Sequence, residues 1–129
     1  MGLLLEGSTY WQYRQSTGEL FYGKDLIYRQ GYSGKGTHKN DPDKEASVGM
    51  GPIPRGEYQI SSPITSAQTG AYVLPLTPVG HNAHGRTAFQ IHGDSTSDPG
   101  KASSGCIILP RKIREKIWAE GANFIEVVR

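Results

Sequence analysis

Thr87-Ala88-Phe89-Gln90-Ile91-His92-Gly93-Asp94 and the run Ser103-Ser104-Gly105-Cys106-Ile107-Ile108-Leu109 form the stretch from which the architecture and the chemistry of this chain are read. From Thr87 to His92 the residues alternate, Ala88, Gln90 and His92 on one face and Phe89 and Ile91 on the other, which is the period of a strand. His92 is therefore expected to point away from the Phe89/Ile91 core face. Cys106 is the only cysteine of the chain and follows His92 by fourteen positions. A lone thiol after a tight Ser-Gly turn, with a histidine at the end of a preceding strand, is the pattern of a Cys/His nucleophile pair.

Strand signals also dominate on either side. Thr9 to Gln15 carries aromatic residues at Tyr10, Trp11 and Tyr13, Ser16-Thr17-Gly18 is turn chemistry, and Glu19 to Tyr22 resumes the strand, so the chain is expected to open with a hairpin. Lys24 to Gln30 is a further strand. Gly31 to Lys44 is polar, bears glycine and shows no periodicity, and is expected to be a long loop. Gly51-Pro52-Ile53-Pro54-Arg55-Gly56 turns the chain into a strand from Glu57 to Ser61, and Ala71 to Leu76 supplies another. Beyond Leu109, Pro110 suits the first position of a short helix, about Pro110 to Glu120, with Ile113, Ile117 and Trp118 on its apolar side and Gly121 as its stop. Asn123 to Val128 closes the chain as a strand.

The totals agree with a mostly β, single-domain chain over residues 1–129. Its length allows one core that buries roughly two-thirds of the extended surface, and 17 glycines and 8 prolines beside 36% hydrophobic residues describe a turn-rich globular domain. Lysine and arginine number 14 against 12 aspartates and glutamates. So slight and scattered a balance gives no ground for a nucleic-acid partner or an anionic membrane surface. No apolar run approaches the ~20 residues of a membrane span, so no membrane insertion is expected. Met1-Gly2-Leu3-Leu4-Leu5-Glu6 is too short, and lacks the basic flank, for a Sec-type signal peptide, and Glu6 stands where a myristoylation motif has Ser or Thr.

A free thiol with a pKa of about 8.5 is only slightly ionised at neutral pH, so a catalytic cysteine needs a neighbour to take its proton. His92 fits, serving as base during attack and as acid for the departing amine. Gly105 permits close backbone approach to a carbonyl, and the amides around Gly105 and Cys106 are candidate donors to an oxyanion. The plainer alternatives are a buried, inert Cys106 and a hydrogen-bonded His92 with no chemistry.

The joint context resembles a known family. His-Gly at a strand end followed by Ser-Gly-Cys is similar to the catalytic domain of the L,D-transpeptidases (YkuD-like). More specifically, Gly31-Tyr32-Ser33-Gly34-Lys35-Gly36, Gly51-Pro52-Ile53-Pro54-Arg55-Gly56, Gly85 to Asp94 and Pro99 to Leu109 resemble the type VI secretion L,D-transpeptidase effectors, the Tlde1-like toxins, as does the opening Tyr10 to Leu20. The resemblance implies a YkuD-like β-sandwich or barrel and a tetrapeptide stem of peptidoglycan as substrate. Cys106 is then the nucleophile, His92 the base, and a thioester the intermediate, resolved by water, by a free D-amino acid or by another amine. A carbonyl or hydroxyl near Ser104 is expected to hold the imidazole tautomer, and Asp94 to orient His92 or meet a cationic group; turn capping and a solvated loop carboxylate are the plainer readings. Ile108 stands where the general YkuD pattern often has arginine or asparagine, so the substrate carboxylate needs another receptor. Arg86 is the first candidate and Tyr32, Ser33 and Arg55 the next. No cofactor is implied. The expected partners are an immunity protein and type VI delivery components, with the periplasm of a target cell as the place of action.

Two other functions remain in view. His81, His84, His92, Asp94 and Cys106 can be drawn as a zinc peptidase site, but His81-Asn82-Ala83-His84 lacks the helical spacing and the adjacent glutamate of familiar zinc peptidases. A non-catalytic, peptidoglycan-binding β module would use the Tyr10 to Tyr13 aromatics as its platform. Gly31 to Thr37 is not a phosphate loop, because Gly36 interrupts the Gly-Lys-Ser/Thr order.

Overall fold

Alternating side chains at the two ends of the chain meet in one sheet. Trp11 and Tyr13 of β1 (Trp11–Arg14) and Ile125 and Val127 of β10 (Phe124–Val128) are buried, while the residues between them are partly exposed. β1 and β10 run parallel, with Trp11 opposite Ile125 and Tyr13 opposite Val127. The structure, a computed structural model, describes residues 9–129. The sequence readings of Met1 to Glu6 lie outside the described residues.

β1 forms the expected hairpin with β2 (Leu20–Tyr22), and β3 (Asp25–Tyr28) continues the meander. On its other side β10 pairs antiparallel with β5 (Gly56–Ile60), and β5 with the far half of β7 (Gly70–Val79). β7 is longer than the expected Ala71 to Leu76. Its middle, Leu74 and Pro75, pairs with β8 (Gln90–His92), while its start receives the short β6 (Ile64–Ser66). β8 then pairs parallel with β9 (Ile107–Ile108), and β9 antiparallel with β4 (Tyr32–Ser33). The order is β3-β2-β1-β10-β5-β7-β8-β9-β4, with β6 on β7. The fold is mostly β, with a single helix, α1 (Arg111–Glu120), among the described residues.

Three local expectations are corrected. The Gly31 to Lys44 loop contains β4 and two 3-10 turns, Gly36–His38 and Pro42–Lys44, the second capped by the Asp41 carboxylate on the Asp43 amide. The strand expected from Thr87 begins only at Gln90. The Leu76 amide still reaches the Phe89 carbonyl at 2.9 Å, but Ala88 adopts a left-handed φ of 65°, which takes the chain out of the ladder. Pro110 caps α1 in extended conformation rather than opening it, while Gly121 ends the helix at φ 79° as expected.

Trp11, Tyr58, Leu74, Ile91, Ile107, Ile117 and Ile125 form the centre of one core that spans both groups of strands and the helix. Burying a side chain of this size contributes about 1.5–3 kcal/mol. That core is the platform under the loops described next.

Candidate active site

The β8–β9 register decides where the histidine and the cysteine lie. Ile91 is opposite Ile107 and His92 opposite Ile108 in a parallel pair, and residues opposite each other share a face. Cys106 immediately precedes Ile107, in the turn that leads into β9 beside β8. Both edges of this pair are covered, and His92 is only 3% exposed.

His92 Nδ1–H donates to the Gly93 carbonyl at 2.9 Å. A carbonyl only accepts, so the proton of the neutral ring is on Nδ1 and the basic lone pair on Nε2. The carbonyl expected near Ser104 is thus Gly93's own; the Ser104 carbonyl is held by Arg86 Nη2 at 3.2 Å. Burial pushes the His92 pKa below the usual histidine range, the Arg114 charge adding to it, while the Gly93 bond and Asp94 oppose it. Cys106 is shifted the other way. Burial raises its thiol pKa above the ordinary range, and the Gln90 amide and the Arg86 cation recover only part of that. Sγ donates to the Ala88 carbonyl at 3.7 Å. Opposed shifts of this kind describe a resting pair of neutral thiol and neutral imidazole.

Cys106 lies in a cleft of about 330 Å³, with Val48, Gly49, Arg86, Phe89 and Ser104 among the residues lining it. The turn that carries the thiol is built by a residue the sequence reading passed over, Ser103. Buried to 1% exposure, its hydroxyl donates to the Cys106 carbonyl at 2.6 Å and accepts from the Gly34 and Gly105 amides at 2.9 and 3.1 Å. The Gly105 amide, expected as an oxyanion donor, is therefore engaged by Ser103. Gly105 has a φ of 140°, and a Cβ there would lie 2.3 Å from Arg86 Nη2. Only glycine fits beneath the guanidinium.

Arg86 is in the cleft but not free for a carboxylate. Nη1 donates to the Glu45 and Pro52 carbonyls and Nη2 to those of Gly51 and Ser104, which occupies all four terminal hydrogens. Ser33 is fully buried, accepting from the Ile53 amide at 2.8 Å and donating to the Gly105 carbonyl at 3.4 Å. It fastens the Pro52–Ile53 segment to the nucleophile turn. Tyr32 donates to Asp94 Oδ1 at 2.6 Å and accepts from the Ala102 amide, and burial with the Asp94 bond pushes its hydroxyl up to about 12. Asp94 also accepts from the Ser95 and Gly100 amides. Burial alone would raise its carboxyl, but these bonds and Lys39 hold it below the usual range. Tyr32 and Asp94 border a second pocket, away from the one that holds Cys106. Arg55 is elsewhere again, its Nε on Glu45 Oε1 at 2.9 Å. Of the expected residues, then, Cys106, Arg86, Ser104 and Gly105 share the cleft, while His92 is buried at the end of β8, the strand paired with β9.

The zinc alternative does not survive this placement. His81 Nε2 meets the Glu57 carbonyl at 3.0 Å and His84 Nε2 meets Glu45 Oε2 at 2.8 Å. Among the described residues no three His, Cys, Asp or Glu side chains come together to hold a metal ion.

Residues 28–128 match the Tlde1 domain. The chain belongs to the Tlde1 domain family. Bd1075 of Bdellovibrio bacteriovorus resembles it with a TM-score of 0.60 and 14% identity, over 99% of this chain and 50% of that one. The catalytic domain of the L,D-transpeptidase of E. faecium resembles it with a TM-score of 0.54 and 19% identity, over 94% of this chain and 97% of that domain. At such identities the likeness is one of fold, and this Tlde1 domain has the L,D-transpeptidase fold. The chain spans half the length of Bd1075. A comparison with curated protein sequences finds no match.

Proposed function

We propose that this Tlde1 domain is a cysteine-dependent L,D-carboxypeptidase and L,D-transpeptidase acting on the tetrapeptide stems of peptidoglycan. Family and fold support a peptidoglycan-modifying enzyme. The observation that supports the finer reading is the parallel β8–β9 pairing, which brings the segment carrying the lone thiol, at a cleft, beside the strand that ends in the buried imidazole.

In this mechanism His92 Nε2 takes the proton of Cys106 Sγ as the sulfur attacks the carbonyl of the third residue of the stem. The new S–C bond forms a tetrahedral centre. As it collapses, the C–N bond breaks, His92 returns its proton to the leaving nitrogen, and D-alanine departs, leaving a thioester. A water deprotonated by His92 hydrolyses the thioester and restores the thiol, which is carboxypeptidase action. An amine attacking instead gives exchange with a free D-amino acid or a cross-link. In this mechanism the thiol exchanges its bond to the Ala88 carbonyl for one to His92 when substrate binds.

The family resemblance also supports a role as an antibacterial effector carried by type VI secretion into the periplasm of a neighbouring cell, with an immunity protein protecting the producer. Mass analysis of muropeptides tests the enzymatic core of the reading. Wild type is expected to remove one D-alanine from tetrapeptide stems, or replace it by another D-residue when that amino acid is supplied, and Cys106→Ala to leave the stems intact. Stems left unchanged by folded wild type would refute the substrate assignment.

A further inference from the structure

Arg114 lies on the apolar stripe of α1, between Ile113 and Ile117, and is only 6% exposed. A guanidinium withdrawn from water is costly unless it is paired. Among the described residues no carboxylate forms an ion pair with it; Glu115, the next residue, is engaged by Arg111 Nε at 3.1 Å. Nη1 spends both hydrogens on the Ala71 and Tyr72 carbonyls, at 3.0 and 2.8 Å. Nε is buried without any partner. Nη2 faces Gly93, where a Cβ would lie 2.9 Å from it. The unpaired edge of the guanidinium is therefore Nε with Nη2, the edge that takes a carboxylate through two parallel bonds.

Gly93 is also the residue whose carbonyl holds the His92 ring. If His92 protonates the leaving nitrogen of a terminal amino acid, that residue's carboxylate is attached to the same Cα, two bonds from the nitrogen. A carboxylate receptor next to the imidazole is thus where the chemistry needs one, and Arg86 cannot serve because its terminal hydrogens are taken. We infer that Arg114 and the glycine at position 93 form the receptor for the α-carboxylate of the terminal D-amino acid, both as it leaves the stem and as an incoming D-amino acid takes its place. This inference rests on the enzymatic reading above for its substrate, but the carboxylate site itself does not.

Two measurements test them separately. The first titrates wild type with D-alanine and with D-alaninamide, following the Gly93 amide and Arg114 Nε–H signals by NMR. D-alanine is expected to shift both signals saturably, the amide to shift neither, and Arg114→Gln to abolish the response at Gly93. The second compares cleavage of a stem tetrapeptide with that of its C-terminal amide; two charge-assisted bonds predict a preference for the acid of roughly a hundredfold. That preference is expected to vanish in Arg114→Gln and to be only partly kept in Arg114→Lys. Equal cleavage of acid and amide by wild type, or D-alanine shifts absent or unchanged in the variant, would overturn the inference while leaving the enzyme reading intact. Carboxylate-dependent shifts in a protein that cleaves neither peptide would do the reverse. Should Arg114→Gln fail to fold, the wild-type titration decides by itself.

Discussion

The cysteine chemistry proposed at Cys106 has two forms, and the surroundings of the thiol select between them. In one the thiolate and imidazolium exist before substrate arrives; in the other the proton moves only during attack. Burial raises the thiol and lowers the imidazole here, and both shifts favour the neutral pair. Arg86 opposes this at the sulfur without reversing it. The rate of Cys106 alkylation by iodoacetamide is therefore expected to be low at pH 6 to 7. It is expected to keep climbing past the ordinary thiol pKa of about 8.5, because only the thiolate reacts. A rate already on its plateau at pH 7 would mean that a preformed ion pair exists and that the neutral resting state is wrong.

The segment from Glu45 to Ile53 is the element that turns one cysteine into a cleft. It has no ladder of its own: beyond the turn bond from the Gly51 amide to the Ser47 carbonyl, three of its carbonyls are satisfied by Arg86 and its Ile53 amide by Ser33. Removing the guanidinium strands up to four carbonyls, each costing about 1–3 kcal/mol if it stays dry. Lysine keeps the charge but lacks the planar fork. Arg86→Lys is accordingly expected to lose about as much stability in urea unfolding as Arg86→Gln, about 2 kcal/mol or more for each. A lysine variant as stable as wild type would show that charge, rather than the fork, is what the segment requires. None of this is legible in the sequence, because the partners are backbone carbonyls that any residue supplies. β4 and β9 escaped for a related reason. Two-residue strands carry no period, and they exist because Tyr32 and Ser33 find Ile108 and Ile107 across a long separation. By contrast Trp11 to Arg14, Gly56 to Ile60 and Phe124 to Val128 alternate over four or five residues with one face in the core, which is why composition and pattern sufficed for them. Cys106 and His92 were singled out by residue type and spacing, while Arg114 left one signal unused: a cation inside an apolar helical stripe.

Across the whole molecule, Glu45 ties together regions that the strand order keeps apart. Its carboxylate accepts from Gln15 beyond β1, from the Arg55 side chain and amide ahead of β5, and from His84 before β8, while its carbonyl receives Arg86. Burial alone would raise its pKa, but the bonds from His84, Arg55 and Gln15 outweigh it and hold the carboxyl at about 2. An unfolded glutamate titrates near about 4.3. Because the folded value lies below the unfolded one, the carboxylate's contribution is complete above the unfolded value and is lost as pH falls towards 2, where the folded group also binds its proton. With its partners Arg55 and His84 substantially exposed, solvent screening leaves this shift worth roughly 1 kcal/mol of stability. Glu45→Gln cannot ionise, so it is expected to be less stable than wild type at pH 7 by up to that amount. The gap in unfolding free energy is expected to narrow steadily between pH 4.5 and 2, the contributions of all other carboxylates cancelling in the comparison. A gap that is constant over this range would show that Glu45 acts through its shape and hydrogen bonds alone, with no share for its charge in joining the two ends of the sheet to the cleft.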